Sequence, residues 1–471
     1  MELMMSNDDY APVFGLSASK GCRGYPGERA SAMSGTILPN RHGLEVLFIS
    51  GSIGLGHVTR DLAIAAALRR LRPDLDLRWL AADPARRALK AEGELLVPEA
   101  GAYLGETDLA EDLASGFSLR MTNPIQWLRC PFLFSRIRDL MRHQRGNLAL
   151  FKSLLQKGRF DLVIADEAYD FCVAVIRNPT LKPARLGVIF DCVGLDTTSR
   201  NPLEWLTVQL ANWYSVRLIR RLPRLFDLTL IVGEEADVPD KAFGLFLPNR
   251  RELAKAAIKF TGYVCPFEPA GYRDRAALRQ RLGYGPEPLV ICAIGGTAIG
   301  KPLLELCGRV FPLLRRQIPN LRMVAVSGPR LRAEGVRLPD GVERMGYVHR
   351  LYEHLAACDL AIVQGGGTTT LELTALRRPF IYFPLKGHFE QRTHVAGRIE
   401  RHRAGVRLEF NATTPEQLAS AVLSNIGTEV GYPAIATNGG SRAAELITEL
   451  LERNLGGPLD RSQVNTLHAK T

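Results

Sequence analysis

One stretch in the second half of the chain, residues 359–391, constrains the fold more than any other part of the sequence. It reads DLAIVQGGGTTTLELTALRRPFIYFPLKGHFEQ. The apolar run from Leu360 to Val363 stops at three glycines, and leucines then recur at helical spacing until Arg378-Pro379 ends the pattern. A second apolar run, Phe380 to Phe383, follows. Strand, glycine turn, helix and strand in this order form a βαβ unit, which predicts an α/β protein with parallel sheets.

The glycine turn and the helix after it have the chemistry of a nucleotide site. Glycine lets a ligand approach the backbone closely, and the N–H groups of Thr368 and Thr369 open a helix whose dipole favours an anion such as a diphosphate. Glu372, one helical turn further on, can accept hydrogen bonds from the two hydroxyls of a ribose. The unit is therefore predicted to bind a nucleotide.

Together with the loop after the second strand, these residues resemble a known family. The pattern consists of Gly366, Gly367, Thr368, Thr369 and Glu372, then Pro379 and Pro384, then a polar loop with His388, Glu390 and Gln391. It is similar to the donor-sugar half of glycosyltransferases with the two-domain GT-B fold, in the branch whose enzyme adds N-acetylglucosamine to the lipid-linked peptidoglycan precursor. The resemblance covers residues 44–455 and implies two Rossmann-like parallel-sheet domains with the donor site in the cleft between them.

A similar strand, glycine loop and helix open the first domain. The apolar strand over 44–50 leads into a loop with Gly54 and Gly56, and His57 follows at once. A dinucleotide site is a rival interpretation, in which Asp83 at the end of the next strand would bind the ribose of NAD. The glycine spacing is reversed relative to that fingerprint, however, and this favours the glycosyltransferase interpretation.

The same loop resembles the first-strand loop of those glycosyltransferases, where a glycine-rich turn ends in a histidine at the cleft. A helix N-terminus disfavours imidazolium, so His57 is expected to be neutral at pH 7 and able to act as a general base. The alternative is a histidine that caps the helix or hydrogen-bonds the donor phosphate.

Acidic residues end two later strands, at Asp166-Glu167 and at Asp191. Ligands of parallel sheets sit at the carboxyl ends of the strands, so these acids are expected to face the cleft. Asp166 is predicted to orient His57 or to bind the acceptor. Capping of the next helix is the alternative role for these acids.

The second domain carries another phosphate-compatible loop. Its first strand, 289–294, ends in Gly295-Gly296-Thr297, which resembles the first glycine-rich loop of the donor domain. Further on, the residue matching Val348 lies against the base in the resembling enzymes, where its backbone reads the pyrimidine edge. The resemblance therefore implies uracil as the base and a UDP-sugar as the donor.

The chain is predicted to divide into six segments. They are a disordered leader (1–40), a first, acceptor-side domain (41–247), a linker with helical character (248–261), a nucleotide-sugar-binding domain (262–437), a terminal helix (438–456) and a flexible tail (457–471). Ser441 is the expected N-cap of the terminal helix, which crosses back to the first domain in the GT-B fold.

Composition narrows the choice of partner and compartment. The net charge of +11 favours anionic partners such as nucleoside diphosphates or acidic lipid, and the resemblance favours these over nucleic acid. No apolar run approaches the ~20 residues that span a bilayer, and the 8 cysteines include no CxxC pair. We expect reduced cysteines, no metal or other cofactor, and a cytoplasmic protein.

Two stretches combine basic and aromatic residues, 117–145 and 200–224. The second places Trp205, Trp213 and Tyr214 beside four arginines, Arg217, Arg220, Arg221 and Arg224. Such helices can lie on an anionic bilayer, which would make the protein peripheral at the inner face of the membrane. The alternative is a core helix with a solvated basic face.

Two details bear on the mechanism that the resemblance implies. Retaining GT-B enzymes carry two glutamates separated by seven residues, and here those positions are Gln364 and Glu372, so an inverting displacement is favoured. The family's loop after Asp-Gln or Gln-Gln usually continues to an asparagine, whereas here Glu390-Gln391 is followed by Arg392, Thr393 and His394. The donor sugar is therefore left open between a hexose and an N-acetylhexosamine.

The main hypothesis is an inverting glycosyltransferase that moves a hexosyl or N-acetylhexosaminyl group from a UDP-sugar to an acceptor hydroxyl. The acceptor is lipid-linked or soluble. A UDP-sugar 2-epimerase of the same fold is the runner-up, and it would need several acids in the cleft and no acceptor. A protein that binds nucleotide without turnover is the third hypothesis.

Overall fold

Two six-stranded sheets, in which every strand pairs parallel with its neighbours, organise the described part of the chain. The computed structural model describes residues 43–51, 54–105, 142, 145–155, 160–296 and 298–453. The predicted leader and tail, most of the basic stretch 117–145, and Thr297 lie outside these ranges.

The first sheet has the strand order β2-β1-β3-β4-β5-β6. Its strands are β1 (Glu45–Ser50), β2 (Asp76–Leu80), β3 (Leu162–Asp166), β4 (Leu186–Phe190), β5 (Leu228–Ile231) and β6 (Lys259–Phe260). The helices of this half are α1 (Gly56–Leu71), α2 (Ala85–Ala91), α3 (145–155), α4 (Tyr169–Arg177), α5 (Pro202–Ile219), α6 (Leu222–Leu225) and α7 (Arg250–Ala257).

The second sheet has the order β12-β11-β10-β7-β8-β9. Its strands are β7 (Leu289–Ala293), β8 (Arg322–Val326), β9 (Val342–Met345), β10 (Leu360–Gln364), β11 (Phe380–Phe383) and β12 (Val406–Arg407). Its helices are α8 (Arg275–Arg281), α9 (Lys301–Arg315), α10 (Leu351–Ala357), α11 (Gly367–Ala375), a π-helix (Glu390–Val395), α12 (Ala396–Arg401) and α13 (Pro415–Asn425), and α14 (Gly439–Glu452) ends the described chain.

The apolar strands are buried on both faces because helices cover each sheet from two sides. Along β1, Leu47 and Ile49 join one core cluster, while Val46 and Phe48 join the cluster on the opposite face. The strands of the second sheet alternate between two clusters in the same way. The predicted fold class, α/β with two parallel sheets, is confirmed.

The last helix, α14, belongs to the core of the first sheet. Its residues Ala444 and Ile447 lie in the same buried cluster as Val46 and Phe48, and the helix packs along α1. Asn438 precedes the helix as its N-cap, so the expected cap at Ser441 is wrong: residues 439 and 440 already form the first turn.

The segment predicted as a linker, 248–261, contains α7 and also β6, which pairs with β5 as the edge strand of the first sheet. Among the described residues, no helix is both long and apolar enough to cross a bilayer. The six cysteines that fall in these ranges are all free thiols.

Candidate functional site

The first turns of α1 and α11 meet between the two halves of the chain. A Cβ on Gly56 would clash with the hydroxyl of Thr368, and one on Gly296 would lie 2.7 Å from the Cα of Gly54. Only glycine permits backbones to approach this closely. Two helix N-termini therefore converge on one point, where both dipoles favour an anion.

A cavity of about 340 Å³ opens beside this contact. It is lined by seven of the residues that the sequence predicted for donor binding: Gly56, Gly295, Gly296, Val348, Thr368, Thr369 and Glu372. They come from the start of α1, from the loops after β7 and β9 and from α11. The structure thus gathers residues separated by more than 300 positions into one cavity.

Glu372 lies on the wall of this cavity and is only 5% exposed. Burial raises the pKa of its carboxyl to about 8, so the carboxylic acid is the main form at pH 7. A ligand that donates hydrogen bonds to this group would favour the carboxylate instead, since such bonds stabilise the charged form.

His57 stands at the start of α1 against a group of charged side chains. Its Nδ1 lies 3.3 Å from Oδ2 of Asp166 and 3.8 Å from Oδ2 of Asp191. The guanidinium of Arg60 forms ion pairs with both of these carboxylates and approaches His57 Nδ1 to 2.9 Å. The carboxyl ends of β3 and β4 thus supply the acidic side chains, and α1 supplies the two basic ones, His57 and Arg60.

The charge state of His57 differs from the sequence-based expectation. Burial and Arg60 lower the pKa of the imidazole, but Asp191 and Asp166 outweigh them and raise it to about 10. The expectation of a neutral His57 at pH 7 is therefore wrong, because two carboxylates counteract the helix dipole. Asp166 itself stays ionised: burial would raise its pKa, but Arg60 and His57 hold it below its usual range.

Glu167 completes this group of acids. Its Oε1 accepts a hydrogen bond from the backbone N–H of Asp191 at 3.0 Å, and its Oε2 accepts one from the hydroxyl of Tyr169 at 2.7 Å. Burial and Asp191 raise the pKa of Glu167 to about 8. His57, Glu167 and Asp191 present ligand atoms within 4.8 Å of one another, a spacing that suits a metal ion. The ion pair between Arg60 and Asp191 opposes a second cation there.

Thr368 also lines a second, smaller cavity of about 70 Å³. Gly367 and Glu390 line it from the second half of the chain, and Arg60 and Asp191 line it from the first. Burial and the charge of Asp191 raise the pKa of Glu390. Glu390 thus faces the charged group around His57, which places another predicted donor-site residue at the cleft.

Other predicted residues do not line either cavity. Asp166 is fully buried behind His57. Gln391 accepts a hydrogen bond from the N–H of Leu385 at 2.9 Å, and His388 Nδ1 lies 3.5 Å from the N–H of Gln391, so both help to shape the loop. Gly366 caps α11, and Gly54 packs on Gly296. Asp83, the residue considered for an NAD ribose, accepts from Arg86 at 2.7 Å.

Sequence reasoning missed Arg60, although its position held a usable signal. It lies three residues after His57 in α1, so both side chains lie on the same face of the helix. A buried arginine at that spacing indicates an acidic partner, and here the partners are Asp166 and Asp191, more than 100 residues further along the chain.

Comparison with known proteins matches the second half of the chain to a family. The glycosyltransferase family 28 C-terminal domain matches residues 290–430. The enzyme named UDP-N-acetylglucosamine–N-acetylmuramyl-(pentapeptide) pyrophosphoryl-undecaprenol N-acetylglucosamine transferase from Desulforudis audaxviator is 25% identical over 430 residues, which are 88% of this chain and 99% of the relative. The protein of the same name from Carboxydothermus hydrogenoformans is 28% identical over 172 residues, 36% of this chain and only 46% of the relative's length.

Among solved structures, the glycotransferase of kitacinnamycin is similar with a TM-score of 0.54 at 16% identity, covering 86% of this chain and 99% of that chain. This likeness concerns the fold alone. Together with the family match, it confirms the resemblance read from the sequence. The chain is a glycosyltransferase of the GT-B fold, similar to the branch of N-acetylglucosaminyltransferases named above.

Proposed function

We propose that the protein is an inverting glycosyltransferase that moves a hexosyl or N-acetylhexosaminyl group from a UDP-sugar to an acceptor hydroxyl. The observation that carries this proposal is the larger cavity, which gathers seven predicted donor-binding residues beside two converging helix N-termini. The relatives named above use a UDP-sugar and a lipid-linked acceptor, and this supports the same classes of substrate here.

In this proposal the donor lies along α11. The uracil rests against Val348, the ribose hydroxyls donate to Glu372, and the diphosphate receives N–H groups from the first turn of α11 around Thr368 and Thr369. The converging helix dipoles stabilise the departing UDP. Arg60 lines the adjoining cavity, and we expect the reaction to proceed without a metal ion.

His57 is the proposed general base for the acceptor hydroxyl. In its imidazole form it takes the proton as the hydroxyl oxygen attacks C1 of the sugar, and Asp166 and Asp191 stabilise the imidazolium that results. Asp166 is a positioning residue, because its side chain is fully buried and contacts His57 and Arg60. The carboxylates that stabilise the imidazolium also keep it protonated, so catalysis is expected to speed up with rising pH.

Release of UDP tests the proposal against its alternatives. Purified protein is incubated with labelled UDP-hexoses and UDP-N-acetylhexosamines, with and without a lipid extract and in the presence of EDTA. We expect UDP release that depends on an acceptor and survives EDTA. Isomerised UDP-sugar without UDP release would indicate the 2-epimerase, and nucleotide binding without any turnover would indicate a binding protein.

The ion pairs of Asp166 and Asp191 with Arg60 argue against the epimerase, since neither acid is free to abstract a sugar proton.

Replacement of Glu372 tests the donor site. Glu372→Ala is expected to weaken UDP binding by ~1.5–3 kcal/mol through loss of hydrogen bonds to the ribose. Because the pKa of Glu372 is raised to about 8, wild type should also release a proton when UDP binds at pH 7, and Glu372→Gln should not. Calorimetry in buffers of different ionisation enthalpy measures both effects, with Glu268→Gln at the surface as control. An unchanged affinity of Glu372→Ala for UDP would show that the ribose does not bind at this helix.

Replacement of His57 tests the base. His57→Ala is expected to cut turnover by ~10²-fold or more and to leave UDP affinity nearly intact, because a general base acts in the transition state. At pH values below the His57 pKa of about 10, the fraction of His57 in the neutral imidazole form rises ~tenfold per pH unit. Wild-type turnover should therefore rise between pH 7 and 9. The variant should lose that dependence, while Glu167→Gln, which removes the neighbouring acid of pKa about 8, should keep it. Equal losses of UDP affinity and turnover would make His57 a phosphate ligand.

An exposed apolar surface supports a peripheral membrane location at the inner face. Helix α5 turns six large side chains outward, Leu203, Trp205, Leu206, Leu210, Trp213 and Tyr214. The fully exposed Phe246 and its neighbour Leu245 extend this surface, and the backbone N–H of Leu245 donates to Gln209 of α5. Arg217 stacks on Trp213 at 3.6 Å, and exposed Arg220, Arg221 and Arg224 follow. An apolar stripe flanked by arginines complements an anionic bilayer.

Vesicle binding tests this location. Each basic residue near an anionic surface contributes ~1 kcal/mol, so wild type should sediment with anionic vesicles and release as salt rises. Changing Arg217, Arg220, Arg221 and Arg224 to Glu should abolish binding, whereas the same change at Arg273, Arg316, Arg332 and Arg337, exposed residues of the second half, should not. Equal recovery on neutral and anionic vesicles, or equal losses in both variants, would point to a soluble acceptor.

A further inference from the structure

Helix α1 carries a buried acid, Asp61, that the proposed mechanism does not use. Its side chain is fully buried, and its Oδ2 accepts a hydrogen bond from the hydroxyl of Ser50 at 2.5 Å. Among the described residues, its Oδ1 has no hydrogen-bond partner. The neighbouring Arg60 forms its ion pairs with Asp166 and Asp191 instead. A buried carboxylate without an ion-pair partner is very costly, so Asp61 is expected to be a neutral carboxylic acid.

The position of Asp61 against Asp166 requires the same proton. Ser50, which holds Asp61, is the register partner of Asp166 in the first sheet, and the two carboxyl groups are in hydrogen-bond contact. Two carboxylates in contact repel each other, so one of them is protonated. Arg60 and His57 keep Asp166 ionised, which leaves the proton on Asp61. Burial and the charge of Asp166 accordingly raise the pKa of Asp61 well above its usual range.

The hydrogen bond from Ser50 indicates which oxygen of Asp61 carries the proton. Because the hydroxyl of Ser50 donates to Oδ2, a proton on Oδ1 gives both oxygens a partner: Oδ2 accepts, and Oδ1 donates to Asp166. A proton on Oδ2 would leave Oδ1 facing the anionic Asp166 with nothing to donate. Since buried polar atoms are almost always hydrogen-bonded, the proton is placed on Oδ1.

The elements packed around Asp61 determine its electrostatic environment. Strand β1 brings Ser50, β3 brings Asp166, and α1 itself brings Arg60. Helices α2 and α14 pack near α1 through apolar side chains, and their charged side chains are exposed or half-buried. Glu372 of α11 faces the larger cavity. The ionised Asp166 is therefore the acceptor for the proton of Asp61.

We propose that Asp61 is a positioning residue, whose carboxylic acid donates a hydrogen bond from Oδ1 to Asp166 and so limits how tightly Asp166 holds the proton of His57. The inference rests on the proposed function, in which His57 must lose this proton before it can act as the base. A hydrogen bond donated to a carboxylate stabilises its negative charge, and less of that charge then acts on the imidazolium. Asp61 thus keeps more of His57 in the form that takes a proton.

Infrared spectroscopy tests the proton on Asp61 without any substrate. At pH 7, the difference spectrum between wild type and Asp61→Asn should contain the C=O band of a protonated carboxylic acid. Asp61→Leu should give the same band, so the assignment does not depend on one variant. A carboxylate band in both difference spectra would overturn the inference.

The pKa of His57 tests the effect of this proton, and NMR of labelled histidine measures it without turnover. Asp61→Leu has no donor for Asp166, so the His57 pKa should rise and turnover should fall ~3- to 10-fold at pH 7, with a smaller loss towards pH 10. Asp61→Asn donates to Asp166 from its amide and accepts from Ser50, so it should keep the wild-type pKa and pH profile. If Asp61 were a carboxylate, Asp61→Asn would remove a negative charge and shift both to lower pH.

A matched variant separates this role from packing. Ile64, one turn further along α1, is also fully buried, and Ile64→Ala should lower thermal stability without moving the pKa of His57. An unchanged His57 pKa in Asp61→Leu, with an equal loss of turnover at every pH, would overturn the inference and leave Asp61 a packing residue. If wild type releases no UDP from any donor, the proposed function fails, whereas the infrared bands and the NMR titration still decide the contact between Asp61 and Asp166.

Discussion

The candidate active site depends on the ion pairs that the buried guanidinium of Arg60 forms. Arg60 pairs with Asp166 at the end of β3 and with Asp191 just after β4, and it lies against His57 one turn earlier on α1. Removing one partner of such a buried pair typically costs ~3–5 kcal/mol, because the remaining charge stays desolvated. Arg60 therefore fixes two strand ends relative to α1, and the same carboxylates set the proton affinity of His57.

Close approach of backbones gives the site its second constraint. Gly54 and Gly56 of the first half contact Gly296 and Thr368 of the second, so the N-termini of α1 and α11 lie next to each other. Any side chain at Gly56 or Gly296 would separate these helix ends. In the proposed function, the larger cavity beside this contact takes the nucleotide.

The sequence predicts what depends on local pattern. The strands predicted at 44–50, 289–294, 360–363 and 380–383 and the helix with Thr368 and Glu372 lie within a residue or two of those positions, since apolar runs and glycine turns are local signals. The short edge strands β6, β9 and β12 carry too few apolar residues to be recognised. The charge state of His57 depends on Asp166 and Asp191, which only the folded chain brings to α1.

In the proposed function, a nucleotide-sugar binds along α11 with its sugar between the two halves of the chain. A crystal structure of the protein with UDP would show whether the nucleotide occupies this site. We expect uracil against Val348, both ribose hydroxyls within hydrogen-bond distance of Glu372, and the diphosphate on the N–H groups at the start of α11. UDP bound only to the loop of Gly54 and Gly56, with Glu372 free of the ribose, would contradict it.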